Sequence, residues 1–118
     1  IGDSPVIGAG TYADNNSCAV SCTGHGEYFI RHAVAFDVCA RYKYLKESVE
    51  KAADYIIHTE LNTNAGNGGL IAVDKLGNIA MPYNSGGMFR GFLYKEKGRP
   101  EIKKGCGIGK KIVVVGEK

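Results

Sequence analysis

The 118-residue sequence predicts one α+β domain, residues 1–118, with its helices and strands grouped separately along the chain. Two observations carry this prediction. Two segments with helical spacing follow each other in the middle of the chain, and a β-hairpin pattern comes directly after them. That order lacks the strand–helix alternation of a doubly wound sheet. The 44% apolar and 23% charged residues are ordinary for a folded globular chain, and no apolar run is long enough to span a bilayer.

The first part of the chain predicts two short strands. Residues 1–16 are punctuated by glycine and proline, which predicts a loop with one short strand and a polar turn at residues 14–16. Residues 18–22 are apolar or small and carry no charge. Strands of that composition are usually covered on both faces, and we expect the same here.

The middle of the chain predicts two helices. Between about residues 27 and 45, apolar side chains recur every three or four positions, which predicts one amphipathic helix. Ser48 is a suitable N-cap for a second helix, which the Gly- and Asn-rich residues 62–69 end. The predicted apolar stripes consist of Phe29, Ala33, Phe36 and Ala40 on the first helix, and of Val49, Ala52, Ala53, Ile56 and Ile57 on the second.

The last part of the chain predicts a hairpin and further strands. Residues 70–73 and 79–81 flank a turn in which Gly77 can adopt a positive φ. Residues 88–94 predict a strand or loop, and residues 112–115 a final strand. Between them lies an atypical basic, Gly-rich segment, and we treat residues 95–118 as a solvated tail.

The charge and cysteine patterns exclude several kinds of site. The net charge of +3 is concentrated in the tail, spread among glycines and partly balanced by Glu96 and Glu101, so a nucleic-acid partner is not predicted. The four cysteines form no CxxC pair, which disfavours a zinc ribbon. We expect reduced, buried thiols in a cytoplasmic protein. The cysteines are Cys18, Cys22, Cys39 and Cys106.

Residues 23–26, Thr-Gly-His-Gly, form a strand-to-helix corner that allows two interpretations. A glycine-rich turn before a helix can present backbone N–H groups to an anion or to a developing oxyanion, with the Thr23 hydroxyl as a further donor. The two glycines can equally serve only a sharp turn, and spacing alone does not choose between these interpretations. The pattern matches neither of the nucleotide-binding motifs GxxxxGK[ST] and GxGxxG, so a nucleotide site is not predicted.

Two other groups near this corner have alternative roles. Cys22 could act as a nucleophile with His25 or His32 as base, but an apolar strand would raise the pKa of the thiol, which is the wrong direction. Asp3, in Gly-Asp-Ser-Pro, could cap a turn or bind an ammonium group.

Several segments together resemble a known family. IGDSPVIGAGTYA at residues 1–13 and AVSCTGHGE at residues 19–27 closely resemble the β subunit of plant-type L-asparaginases, which are also isoaspartyl aminopeptidases. GLIAVD at 69–74, GNIAMP at 77–82 and GMFR at 87–90 continue the resemblance in the same order. It covers roughly residues 1–94 and leaves the tail out.

The resemblance implies a fold, an activity and a set of site residues. The family is of the N-terminal nucleophile hydrolase type, and its fold is a four-layer αββα sandwich. The precursor cleaves itself into α and β subunits, and two αβ units pair into a heterotetramer. No cofactor takes part in the chemistry. The Thr that begins the β subunit attacks L-asparagine or a β-aspartyl dipeptide. By this resemblance Asp3 binds the substrate α-ammonium group, Thr23 and Gly24 form the oxyanion hole, and the main chain of Gly26 contacts the substrate amino group. His25 receives no role.

The nucleophilic Thr, a supporting Thr and a substrate-binding Arg of the family would all precede Ile1. Thr11 and Thr23 are internal and have no free α-amino group to act as base. This chain alone is therefore predicted to be inactive. Two expectations follow: either the α subunit and the N-terminal β segment complete an active enzyme, or the chain is a catalytically inactive truncated homologue that serves as a binding or assembly element.

Overall fold

The computed structural model describes residues 4–61, 66–95, 102–107 and 113–117. They divide into two compact units, Ile1–Ser85 and Gly86–Lys118. The α+β class is confirmed. The elements, in chain order, are β1 Thr11–Ala13, β2 Cys18–Gly24, α1 Gly26–His32, α2 Val34–Tyr44, α3 Val49–Tyr55, a π-helical turn Ile56–Leu61, β3 Gly68–Asp74, β4 Ile79–Ala80, β5 Arg90–Lys95, β6 Ile102–Gly107 and β7 Val113–Glu117.

The first unit contains an antiparallel sheet with the strand order β1-β2-β3-β4. Its central pair is β2 and β3, in a register that places Cys22 opposite Leu70 and Thr23 opposite Gly69. Helices α2 and α3 pack on one side of this sheet, α2 on β1 and β2 and α3 on β3 and β4. The hydrophobic core lies between these helices and the inner face of the sheet.

Strand β2 has one buried and one exposed face. Cys18, Val20 and Cys22 are buried against the helices, whereas the side chains between them point to the other face and are exposed. The prediction of a strand covered on both faces is therefore wrong for the described residues. The reason is that the helices of this unit pack on one side of the sheet only.

The single helix predicted over residues 27–45 is two helices. Ala33 adopts a left-handed conformation with φ 46° and serves as the C-cap of α1 and the N-cap of α2. This residue breaks the 3.6-residue phase, so the predicted stripe does not continue: Phe29 is buried but Phe36 is 44% exposed. The buried positions of α2 are instead Val34, Ala35, Val38 and Cys39.

The second helix agrees with the prediction. The Ser48 hydroxyl accepts a hydrogen bond from the Lys51 N–H at 3.2 Å and so satisfies one of the free donors of the first turn. All five residues of the predicted stripe are fully buried. The helix continues into the π-helical turn, whose last residue is Leu61.

The predicted hairpin is formed by β3 and β4. Gly77 has φ 89°, as expected for the turn. The Asp74 carboxylate accepts hydrogen bonds from the N–H groups of Leu76 and Asn78, at 2.9 and 2.8 Å, and from the Asn78 side-chain amide at 2.8 Å. These bonds hold the turn in place by an Asx-type arrangement.

The second unit contains an antiparallel sheet of β5, β6 and β7. The predicted final strand, residues 112–115, corresponds to β7, and its ends differ by at most two residues. The prediction of a solvated tail over residues 95–118 is wrong where β6 forms. Its sequence, Ile-Lys-Lys-Gly-Cys-Gly, has no apolar alternation, and its pairing with strands on both sides overrides the weak local preference. That the whole chain is a single domain stays a prediction.

Candidate functional site

The strand-to-helix corner is where the sequence places it. Thr23 and Gly24 are the last two residues of β2, His25 is the N-cap of α1, and Gly26 is the first residue of α1. Thr23 and Gly24 are exposed and Gly26 is partly exposed. Asp3, the other predicted site residue, lies outside the described residues.

Ser4 brings the beginning of the described chain to this corner. Its hydroxyl donates a hydrogen bond to the carbonyl oxygen of Cys22 at 2.9 Å. Ser4 directly follows Asp3 in sequence, and Cys22 directly precedes Thr23. The structure therefore joins two segments that carry predicted site residues and that lie 18 positions apart.

Gly24 is held in a conformation and a space that favour glycine. Its φ is +144°, and a Cβ there would lie 2.7 Å from the Cα of Gly68 and 2.8 Å from a ring carbon of Phe29. Gly68 is the cross-strand partner of Gly24, and a Cβ on Gly68 would also lie 2.8 Å from the Phe29 ring. The buried Phe29 side chain thus packs over two facing glycines and fixes α1 against the end of the sheet.

The Thr23 side chain lies on the exposed face of the sheet, like Ser21 two residues before it. Its cross-strand neighbour is Gly69, which has no side chain. Because directly opposed positions in a sheet otherwise bring two side chains together, this pairing leaves the space beside the Thr23 hydroxyl free of a cross-strand side chain. Gly69 is itself buried and is bridged on its other side by Tyr83, whereas the Thr23 side chain is exposed.

A hydrogen-bonded loop supports the corner from the other side. The His25 N–H donates to the carbonyl oxygen of Asn67 at 3.0 Å, and no side-chain hydrogen bond caps α1. The side chain of Asn84 contacts the residues on either side of Asn67. It donates a hydrogen bond to the Gly66 carbonyl oxygen at 3.0 Å and accepts one from the Gly68 N–H at 2.7 Å. No sequence pattern singles out Asn84. It stands in a Gly- and Ser-containing stretch whose local signal indicates only a turn.

Cys22 does not have the environment of a nucleophile. Burial raises the pKa of its thiol to about 12, as the apolar strand predicts. Cys18, Cys22 and Cys39 are all free and buried. Among residues 4–61, 66–95, 102–107 and 113–117, no three His, Cys, Asp or Glu side chains are grouped to hold a metal ion. Within the same residues, no helix has the length and hydropathy to cross a membrane.

Comparison with known proteins identifies the family. The asparaginase family profile matches residues 1–102. The isoaspartyl peptidase of Salmonella typhimurium is 50% identical over 94 residues, 80% of this chain and 30% of that protein. The isoaspartyl peptidase of Escherichia coli is 44% identical over 108 residues, 83% of this chain and 34% of that protein. A probable isoaspartyl peptidase/L-asparaginase of Arabidopsis thaliana is 50% identical over 91 residues, 77% of this chain and 27% of that protein.

The chain thus spans about 30% of the length of the curated relatives it matches. The profile extends eight residues beyond the end of the resemblance seen in the sequence, from residue 94 to residue 102, and so reaches the first residue of β6. The recognition made from the sequence motifs is confirmed: this chain belongs to the asparaginase family.

Proposed function

We propose that this chain is part of an amidohydrolase that acts on L-asparagine and on β-aspartyl dipeptides. The observation that carries the proposal is the corner at the end of β2, where Thr23 is exposed beside a glycine and joined through Cys22 and Ser4 to the segment that contains Asp3. Support also comes from the printed functions of the relatives, which are isoaspartyl peptidases and L-asparaginases.

The resemblance to the asparaginase family assigns each residue a role in this reaction. Attack on an amide carbonyl places negative charge on its oxygen, and preorganised donors aimed at that oxygen stabilise the transition state. The Thr23 hydroxyl and the Gly24 N–H are the proposed donors. Asp3 provides the carboxylate for the substrate α-ammonium group, and the main chain of Gly26 contacts the same amino group. The attacking Thr is proposed to lie outside these 118 residues. Its hydroxyl forms an ester with the carbonyl carbon as the C–N bond breaks and ammonia, or the amine of the second residue of a dipeptide, leaves. Water then hydrolyses the ester and frees the Thr hydroxyl.

The open face of the sheet supports a partner. Ile71 and Val73 are 48% and 42% exposed on the face that carries Thr23. We propose that the α subunit and the N-terminal β segment complete this unit into the four-layer αββα sandwich, and that two αβ units pair. The free, buried thiols support a cytoplasmic location, where cysteines stay reduced.

The first experiment asks whether the complete protein contains the nucleophile. Intact mass and N-terminal sequencing of the purified protein should reveal a chain that begins with Thr. If Ile1 is the only N-terminus and no partner chain accompanies it, the hydrolase proposal fails for this material. The chain would then be the inactive homologue that serves as a binding or assembly element.

The second experiment tests Thr23 in the complete, active protein. Thr23→Val removes the hydroxyl and keeps the shape, so turnover of a β-aspartyl dipeptide should fall about 100-fold or more, as loss of one oxyanion donor does. Thr23→Ser keeps the hydroxyl and should retain most of the turnover. Thr11→Val is the matched control, because Thr11 belongs to the neighbouring strand β1 and pairs with Ser21 rather than with the corner. Unchanged turnover in Thr23→Val would refute the role of Thr23.

A further inference from the structure

The side chain of Asn84 connects three segments of the first unit. Its Oδ1 accepts a hydrogen bond from the Gly68 N–H at 2.7 Å. Its Nδ2 donates to the carbonyl oxygen of Gly66 at 3.0 Å and to that of Ile57, in the π-helical turn, at 3.4 Å. The Asn84 N–H also donates to the Gly68 carbonyl oxygen at 2.9 Å. Gly68 is therefore held by both the backbone and the side chain of Asn84.

Gly68 and its neighbour Asn67 form the support of the Thr23–Gly24 corner. Gly68 is the cross-strand partner of Gly24, and the glycine pair leaves the two backbones in close approach. The Asn67 carbonyl accepts the N–H of His25, the residue that follows Gly24. The position of residues 66–68 thus determines where the Gly24 backbone lies.

The bonds of Asn84 require an amide. The same side chain must accept a hydrogen bond from an N–H and donate to two carbonyl oxygens, which neither a carboxylate nor a hydrocarbon can do. An aspartate of the same shape would keep the acceptor for Gly68 and place a second oxygen against the carbonyls of Gly66 and Ile57. A purely local turn residue would need only bonds within its own turn, whereas these bonds reach 16 to 27 positions along the chain.

We propose that Asn84 is a positioning residue for the oxyanion donors. It holds residues 66–68 against Gly24, so that the Thr23 hydroxyl and the Gly24 N–H keep the geometry that a developing oxyanion requires. This inference rests on the proposed function, because it assigns Asn84 a part in that reaction. A misplacement of about 1 Å can cost on the order of 100-fold in rate, so a support of this kind has a measurable effect.

The kinetic test uses Asn84→Ala and the isosteric Asn84→Asp in the complete protein, with a β-aspartyl dipeptide as substrate. The kcat should fall about 10- to 100-fold while KM changes little, because the oxyanion exists only in the transition state. Asn78→Ala is the matched control: it removes an Asn side chain that likewise makes a part-buried hydrogen bond, to Asp74 at the opposite end of β3, and its kcat should stay at the wild-type value. If kcat in all three variants falls in proportion to the loss of melting temperature, Asn84 is only a stabilising residue and the proposal is wrong.

The second readout does not depend on activity. The His25 amide hydrogen should exchange with solvent faster in both Asn84 variants than in the wild type and in Asn78→Ala, because its acceptor, the Asn67 carbonyl, loses support. Unchanged exchange at His25 would overturn the proposal even if activity fell. If the wild-type protein hydrolyses no β-aspartyl substrate, the proposed function fails, and the exchange result still decides whether Asn84 holds the corner.

Discussion

Gly24 illustrates how one residue can satisfy two requirements at once. Its positive φ and the close approach of Gly68 and Phe29 explain a glycine there from packing alone. The proposed oxyanion role uses a different part of the residue, its N–H. The two interpretations that the sequence left open are therefore compatible, and the packing supplies the rigid backbone that a fixed donor needs.

Gly24→Ala should destabilise the protein more than Gly77→Ala does. Both alanines would adopt a positive φ, which costs about 1 to 2 kcal/mol, but only Gly24 lacks space for a Cβ, and overpacking adds about 1 to 3 kcal/mol. The free energy of unfolding from urea titration measures the difference. Gly86→Ala is the neutral control, since the φ of Gly86 lies outside the positive range and no atom lies within 4 Å of an added Cβ. Equal costs for Gly24→Ala and Gly77→Ala would contradict the packing explanation.

The location of the corner was predictable, but its support was not. Two glycines and the change from an apolar strand to helical spacing are local signals, and they placed Thr23, Gly24 and Gly26 at the end of β2 and the start of α1. The bonds of Asn84 join residues that are distant in sequence, and no periodicity or turn rule reports such contacts. A single sequence therefore predicts the proposed site residues better than a residue such as Asn84, which supports them through distant contacts.

Among the helices and strands, the features that depend on neighbouring residues were predicted correctly. The Ser48 cap and the hairpin turn at Gly77 depend on residues a few positions apart, and both are confirmed. The break between α1 and α2 lacked such a signal, because Ala33 is a good helix former and gives no indication of a left-handed conformation. Tertiary packing of the Phe29 ring and of the buried face of α2 selects different phases for the two helices.

Ala33→Gly and Ala40→Gly should change stability in opposite directions. At Ala33 the left-handed φ of 46° strains an alanine, and glycine relieves it, so we expect a gain of about 0.5 to 1 kcal/mol after the entropic cost of glycine. At Ala40, inside α2, glycine should cost about 1 kcal/mol. Thermal unfolding of both variants measures the effect. A loss of stability in Ala33→Gly would show that the helix break is not strained.

For the whole molecule, the open face of the first sheet is the main feature to explain. It carries Thr23 together with the exposed Ile71 and Val73, on the side of β2 and β3 opposite α2 and α3. Apolar surface left to water is unfavourable, and contiguous patches mark interaction sites. The relatives are about three times as long as this chain, so they contain ample sequence to cover such a face.

Cysteine labelling can test whether this face is covered in the complete protein. Ile71→Cys should react with a maleimide much more slowly than Leu76→Cys, which places the thiol in the hairpin turn, where Leu76 is 77% exposed. Cys18, Cys22 and Cys39 are buried, and a Cys106→Ser background removes the remaining thiol from both variants. Equal labelling rates would show that the face stays open to solvent and would remove this argument for a partner layer.

The lengths of the outer strands have a consequence for self-association. Strand β1 has three residues and β4 only two, and these are the two edges of the first sheet. A strand from a second molecule would find few unpaired N–H and C=O groups there, so edge-to-edge growth into fibrils is disfavoured. The first unit can therefore expose the apolar Ile71 and Val73 on one face of its sheet with little tendency to polymerise through the edges of that sheet.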